Sequence, residues 1–297
     1  MVETFFNSPL YCSIMNSSVS ENQLSKLIED GFCIFKNILD DKMIRRIDEA
    51  ANRLLALEED EHFKTQKSTG SLIPIHRDSL FAELVVWPKA IEAIRSMGFN
   101  RPVFSSGYVI SKPPYSPPLF WHQDWWGWNE AVSYQKFPQQ VFLMYYLVNT
   151  RPENGCLRLI PGSHIKHHPL HEATPAAHTN ELTKVANPNH PAFQYAEGEV
   201  DVCVQAGDVV IGDSRILHSA HPNRTNQRRT VITLWYLPLF YELPDSIRSF
   251  LARQNLREGW SIEAQRMLQP FDPIYTGPRL DLETEWNRIP GLALKRR

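Results

Sequence analysis

The sequence predicts a mainly β fold, a barrel or sandwich of short strands with helices packed outside it. From about residue 100 onward, apolar runs of strand length alternate with turns rich in Pro, Gly and Asn, as in proteins built from many short strands. Before that point, apolar residues recur at helical spacing. The predicted strands cover residues 102–110, 140–148, 157–160, 200–204, 209–211 and 230–237.

We expect one domain made of four segments. Leu24, Leu27 and Ile28 lie at the spacing of one helix, and Asp40 can cap a second. Residues 164–198 are rich in His, Pro, Ala and Asn, which predicts a long loop that closes over a binding pocket. The four segments are a loose N-terminal lead-in (1–19), a helical flank (20–100), the β core (101–238) and a C-terminal extension packed on the core (239–297).

Composition and charge exclude several classes of function. The chain has 31 basic and 33 acidic residues, so it lacks the strongly basic character of a nucleic-acid binder. No apolar stretch reaches the roughly 18 residues of a membrane span, and the N-terminus has no basic signal-peptide region. Four scattered cysteines without a C-x-x-C pair indicate free thiols. We therefore expect a cytoplasmic protein without nucleic-acid or membrane partners; the sequence indicates no oligomeric state.

The segment around His122 and Asp124 carries the strongest chemical signal. These residues are two positions apart, so an extended chain presents both side chains on one face. Two histidines and one carboxylate, leaving open positions on the metal, are the ligands of non-heme Fe(II) oxygenases. The H-x-D pair alone is more typical of a hydrogen-bonded pair that binds no metal. A second histidine must therefore come from elsewhere.

His218 is the candidate for that second histidine. We expect it to end a strand that begins at Val209, with Arg229 on the neighbouring strand of a hairpin, so that both face one cavity. A guanidinium there can hold the far carboxylate of an organic acid by two parallel hydrogen bonds. His221, in the polar turn between them, is the alternative ligand. The four histidines between residues 164 and 171 are interpreted as solvated loop residues rather than a second metal site.

Together these patterns resemble the phytanoyl-CoA dioxygenase family of iron(II)/2-oxoglutarate-dependent oxygenases. The resemblance extends over residues 20–238 and rests on four stretches in this order. They are Leu27-Ile-Glu-Asp-Gly-Phe-Cys-Ile-Phe35, Trp121-His-Gln-Asp124, Arg151-Pro-Glu-Asn-Gly-Cys-Leu157 with Ile160-Pro-Gly-Ser-His164, and His218 followed by Asn223 and Arg229. It implies a double-stranded β-helix, that is, a jelly-roll or cupin-like core, whose two sheets form a deep mouth for metal and co-substrate.

The resemblance also implies a set of site residues. His122, Asp124 and His218 would bind Fe(II), and Arg229 would bind the distal carboxylate of 2-oxoglutarate, with Tyr108 also near the co-substrate. Two positions depart from the family pattern. Ala220 stands where many members have a serine, and Met144 stands where many have a tryptophan beside the pocket. Both departures alter the fine contacts of the co-substrate and substrate pocket.

The implied reaction is oxidation of a C–H bond, with O2 as second co-substrate and release of succinate and CO2. We expect hydroxylation of a small-molecule metabolite in a biosynthetic tailoring pathway; desaturation, demethylation and ring formation begin with the same hydrogen abstraction. Trp125 and Trp126 directly follow the metal aspartate and are predicted to line the substrate pocket with Met144, with Trp126 as the inward side chain. The alternatives are a fatty acyl-CoA hydroxylase and a catalytically silent cupin-like binding protein.

Overall fold

The fold consists of two antiparallel sheets that face each other. The computed structural model describes residues 18–174, 178–254, 256–278 and 287–295, with side chains from residue 22 onward. A six-stranded sheet has the order β1-β7-β4-β9-β3-β2, and a three-stranded sheet has the order β6-β5-β8. The strands are β1 (Phe32–Phe35), β2 (Ile73–Pro74), β3 (Val103–Lys112), β4 (Val141–Tyr146), β5 (Leu157–Leu159), β6 (Val200–Val202), β7 (Val209–Asp213), β8 (His218–Ala220) and β9 (Arg229–Leu237).

Both faces of the large sheet are covered, which explains why its central strands are apolar throughout. In β4, Phe142 and Met144 point towards the small sheet and pack with Leu157 and Val202. Residues of the opposite parity, such as Leu143, pack against the helical flank. The sequence of β4 therefore shows no alternation, because each face of the strand is buried. The prediction of a mainly β core with helices outside it is confirmed.

Ten α-helices flank the sheets in the described part of the chain, five before the core strands and five after β5. They are α1 (Ser18–Glu29), α2 (Asp41–Ala56), α3 (Asp60–Thr65), α4 (Leu80–Val85), α5 (Pro88–Ser96), α6 (Leu170–Ala173), α7 (Asn180–Thr183), α8 (Asp245–Arg253), α9 (Ile262–Leu268) and α10 (Leu292–Lys295). Asp40 caps α2 by accepting a hydrogen bond of 2.7 Å from the Met43 amide. None of the described helices is long and apolar enough to cross a membrane.

Two predicted boundaries require correction. The strand that starts at Val209 ends at Asp213, and His218 begins a separate strand in the other sheet. His218 and Arg229 therefore lie on facing sheets rather than on one hairpin. Among the described residues between 164 and 198, α6, α7 and a short 3-10 helix interrupt the predicted long loop. The predicted lead-in, apart from residues 18 and 19 in α1, lies outside the described residues.

A buried ion pair turns the chain between the two sheets. Arg215 and Asp213 are each 1% exposed, and the guanidinium contacts the carboxylate at 2.6 Å. The same guanidinium donates hydrogen bonds to the carbonyls of Ser133 (2.8 Å) and Gln135 (2.7 Å). Because apolar residues follow Arg215, the sequence pattern here is typical of a continuing strand and does not reveal the turn. The turn directs β8, and with it His218, into the small sheet.

Candidate iron and co-substrate site

A pair of backbone hydrogen bonds holds the segments of His122 and His218 side by side. The His122 amide donates to the His218 carbonyl at 3.0 Å, and the His218 amide donates to the His122 carbonyl at 2.9 Å. The two imidazole rings consequently lie 4.1 Å apart between centroids. The Phe142 ring packs 5.2 Å from that of His218. The facing residue, Gly212, has no side chain and so leaves room for the Phe142 ring. A Cβ at position 212 would lie only 2.1 Å from that ring.

The side chains of His122 and His218 both direct a ring nitrogen at Asp124. Their Nδ1 atoms lie 3.0 and 3.1 Å from the carbonyls two residues earlier, of Phe120 and Ile216. Each Nε2 then lies 3.6 Å from a different carboxylate oxygen of Asp124. Burial, together with the nearby His218, keeps the pKa of His122 well below its usual value. A neutral imidazole whose Nδ1–H is engaged elsewhere offers Nε2 to a metal.

Arg229 provides a buried cation in the same cavity. It is 3% exposed, its Nε makes no hydrogen bond, and burial lowers its pKa. Its guanidinium lies 5.9 Å from the centre of the Tyr146 ring. Among the described residues no carboxylate forms an ion pair with it. A buried guanidinium with unused donors is suited to an anionic ligand that supplies the missing acceptors.

The cavity that joins these groups has a volume of about 380 Å³, which is in the range of small-molecule sites. Tyr108, Thr233 and Met144 form one row across β3, β9 and β4, and all three line it. Trp126 lines it as well. The prediction for Trp125 is corrected: its ring packs in the apolar cluster behind Trp126, and its indole N–H donates to Ser133 Oγ at 2.8 Å.

Two residues in the cavity wall escaped the sequence analysis. Candidate ligand atoms of His178 lie within 4.8 Å of those of His122 and Asp124. His178 precedes α7 in the segment predicted to cover the pocket, and its φ of 67° is unusual for a residue other than glycine. Arg288 comes from the C-terminal extension and donates to the carbonyls of Gln123 and Asp124. The sequence pointed to His178 only through its position in the segment predicted to cover the pocket. Arg288 lies in none of the motifs identified in the sequence.

The alternative residues weighed from the sequence lie elsewhere. His221 Nε2 contacts Asp201 Oδ1 at 2.6 Å. Arg228, which neighbours the candidate co-substrate arginine and is the next arginine to consider for that role, donates to the Ser111 carbonyl and lines a separate surface depression. His164 Nε2 lies 2.9 Å from the Ile28 carbonyl, which ties the predicted loop to α1. Among the described residues between 164 and 171, no group of histidines approaches metal-binding geometry.

The donor set fits iron and an acidic co-substrate. Two imidazoles and one carboxylate match the ligands of non-heme Fe(II) oxygenases, in which the remaining positions stay open for co-substrates. The partnerless guanidinium of Arg229 lies in the same cavity as these three side chains. His178 offers a third imidazole, but it lacks the paired backbone hydrogen bonds that fix His218 beside His122.

Comparison with known proteins agrees with this chemistry. Residues 27–231 match the family model described as phytanoyl-CoA dioxygenase (PhyH). An ectoine dioxygenase of Nocardia farcinica is 28% identical over 236 residues, covering 73% of this chain and 77% of the relative. An ectoine dioxygenase of Sphingopyxis alaskensis is 22% identical over 224 residues, covering 71% and 73%.

Solved structures share the fold. The non-heme α-ketoglutarate-dependent epimerase SnoN of nogalamycin biosynthesis superposes with a TM-score of 0.56 at 20% identity, covering 75% of this chain and 84% of that structure. SnoN has also been crystallised with Fe3+, α-ketoglutarate and a nogalamycin compound. EctD from S. alaskensis, with 2-oxoglutarate and 5-hydroxyectoine, superposes with a TM-score of 0.54 at 19% identity, covering 78% and 81%.

Proposed function

This chain belongs to the phytanoyl-CoA dioxygenase family of iron- and 2-oxoglutarate-dependent oxygenases, and we propose that it hydroxylates a C–H bond of a small-molecule metabolite. The balanced reaction converts the substrate, 2-oxoglutarate and O2 into the alcohol, succinate and CO2. The observation that carries the proposal is that His122, Asp124 and His218 share one cavity with Arg229, whose buried Nε has no hydrogen-bond partner among the described residues.

We assign His122, Asp124 and His218 to the metal and Arg229 to the distal carboxylate of 2-oxoglutarate. Iron, when bound, supplies the oxidising chemistry. The protein orients the ligands through the paired backbone hydrogen bonds of the two histidines. Arg229 binds one end of the co-substrate from within a desolvated pocket, where a bidentate pair is strong and geometrically selective. Tyr108 and Met144 contribute walls beside this position.

The remaining cavity wall supports a compact substrate with both apolar and polar portions. Trp126 and Leu251 supply apolar surface, whereas His178 and Arg288 supply hydrogen-bond donors. Arg288 forms no ion pair with any of the described residues, so its remaining donors are available to a substrate acceptor. The relatives named as ectoine dioxygenases make ectoine the first compound to assay. We also propose that the reaction is a step in a biosynthetic tailoring pathway.

The direct experiment measures succinate in reactions that contain the chain, Fe(II), 2-oxoglutarate and a candidate substrate. We expect succinate to form only with Fe(II) and to cease on addition of a chelator. His218→Ala should abolish it, whereas His76→Ala, outside the cavity, should not. A protein that retains the fold and binds 2-oxoglutarate but forms no succinate with any substrate would instead be a silent binding protein.

A further inference from the structure

A second group of metal-ligating side chains lies at the end of the small sheet. Cys156 precedes β5 and His221 follows β8, while Asp201 lies within β6. One ligand atom from each of these three residues lies within 4.8 Å of the other two. The His221 amide donates to the Cys156 carbonyl at 3.0 Å, so the backbone itself fixes two of the three.

Cys203 is adjacent to this group of three residues. Leu157 pairs with Val202 across β5 and β6, so the next residues outward, Cys156 and Cys203, are cross-strand neighbours. The Cys203 thiol is close enough to that of Cys156 to contribute, after burial, to raising the pKa of Cys156. Cys156 is fully buried, whereas Cys203 and Asp201 reach the surface. The group thus has a buried anchoring ligand and an open side through which a cation can enter.

This group shares no residue with the candidate iron site. His218 and His221 are three residues apart, so an extended chain directs their side chains to opposite faces and separates them by roughly 10 Å. Leu157 and Leu159 face the interior between the sheets, and Cys156 has the opposite parity. A cation in this group would therefore contact none of the residues assigned to iron.

We propose that Cys156, Cys203, Asp201 and His221 form a second metal site, selective for a thiophilic divalent cation such as Zn(II). Two sulfurs, one imidazole nitrogen and one carboxylate oxygen provide the four ligands of a tetrahedral structural site. Such a site would join β6, β5 and the end of β8, the strand that carries His218. Its expected role is to stabilise the packing of the three strands of the small sheet beside the catalytic cavity.

Cobalt(II) provides a spectroscopic probe that separates the two sites. Only a thiolate ligand gives an intense near-ultraviolet sulfur-to-cobalt charge-transfer band, and the ligands assigned to iron include no cysteine. Titration of the metal-free protein should therefore show this band, with two Co(II) bound per chain. Zn(II) should then displace Co(II) from the thiolate site and remove the band.

Two variants outside the apolar core test the ligand assignment. Cys203→Ser and His221→Gln should each weaken Co(II) binding at the thiolate site by tenfold or more, while Fe(II)-dependent 2-oxoglutarate consumption persists. Cys33→Ser and Cys12→Ser are the matched controls and should retain the band. The proposal is overturned if the wild type shows no thiolate band, or if Cys12→Ser abolishes it. A Cys156–Cys203 disulfide in freshly isolated protein, detected by thiol counting, would overturn it equally.

Discussion

The indole N–H of Trp235 donates a hydrogen bond of 2.9 Å to Oδ2 of Asp124. The same oxygen lies 3.6 Å from His218 Nε2, and the other carboxylate oxygen lies 3.6 Å from His122 Nε2. Trp235 lies on β9 of the large sheet, whereas His218 lies on the small sheet. Asp124 is therefore oriented from both sheets, and the candidate metal position depends on how the sheets face each other.

We expect Trp235→Phe to weaken metal binding while preserving the aromatic wall of the cavity. Loss of a hydrogen bond that orients a metal ligand usually lowers metal affinity by about 10–100-fold. The measurement is Co(II) affinity of the metal-free protein, followed through its visible absorption. Trp87→Phe is the control, because the Trp87 indole bonds to the Ile38 carbonyl far from the cavity. Equal affinities in both variants would show that Trp235 does not position Asp124.

Arg229→Ala should raise the KM for 2-oxoglutarate by a factor on the order of tens or more. Removal of one partner from a buried, hydrogen-bonded charge pair costs about 2–5 kcal/mol. Arg229→Lys should recover only part of this loss, since an ammonium cannot reproduce the two-pronged contact. Arg228→Ala is the matched control, because its side chain lines a separate depression. An unchanged KM in Arg229→Ala with weakened substrate binding would assign Arg229 to the substrate.

Trp126→Ala should uncouple the reaction. The Trp126 ring lines the cavity, so its removal lets a substrate move away from the reacting position, and small displacements can cost about 100-fold in rate. We expect less product per succinate, with little change in the KM for 2-oxoglutarate. Trp125→Phe, which alters the layer behind Trp126, is the comparison. If Trp126→Ala retains the wild-type product-to-succinate ratio and substrate KM, Trp126 belongs to the packing core alone.

Arg215→Ala should destabilise the fold by about 3–5 kcal/mol, because it leaves the carboxylate of Asp213 buried without its partner. The double variant Asp213→Asn/Arg215→Gln removes both charges and should lose less free energy of unfolding than the single variant. Denaturant unfolding of the metal-free proteins measures both values. Equal losses in the two variants would mean that the packing of Arg215, rather than its charge, stabilises the turn into β8.

The predictions that succeeded depend on local patterns. The two-residue spacing of His122 and Asp124 predicted side chains on one face, and both line the cavity. The apolar runs after residue 100 predicted six of the seven strands that the described part of the chain forms there, with small boundary errors. The error at His218 arose because the ion pair of Arg215 and Asp213, a tertiary contact, ends β7 within an otherwise apolar run.

The features that escaped prediction depend on distant segments. Trp126 lines the cavity as predicted, yet the Trp125 ring stacks against it where strand alternation would separate the two rings, and the amides of Asp124 and Trp125 both donate to the Ser214 carbonyl. Arg288 reaches the cavity because Asn287 pairs with the segment at Gly127, about 160 residues earlier in the chain. Neither hydrogen-bond pattern leaves a signal in the local sequence.

The most direct test of the central claim compares the three histidines that could complete the metal site. Fe(II)-dependent conversion of 2-oxoglutarate to succinate should be measured alongside Fe(II) affinity in His218→Ala, His178→Ala and His221→Ala, each verified by thermal melting. We predict that His218→Ala loses both metal binding and turnover, whereas the other two variants retain Fe(II) binding. Retention of full activity in His218→Ala, with loss in His178→Ala or His221→Ala, would contradict the assigned His122–Asp124–His218 site.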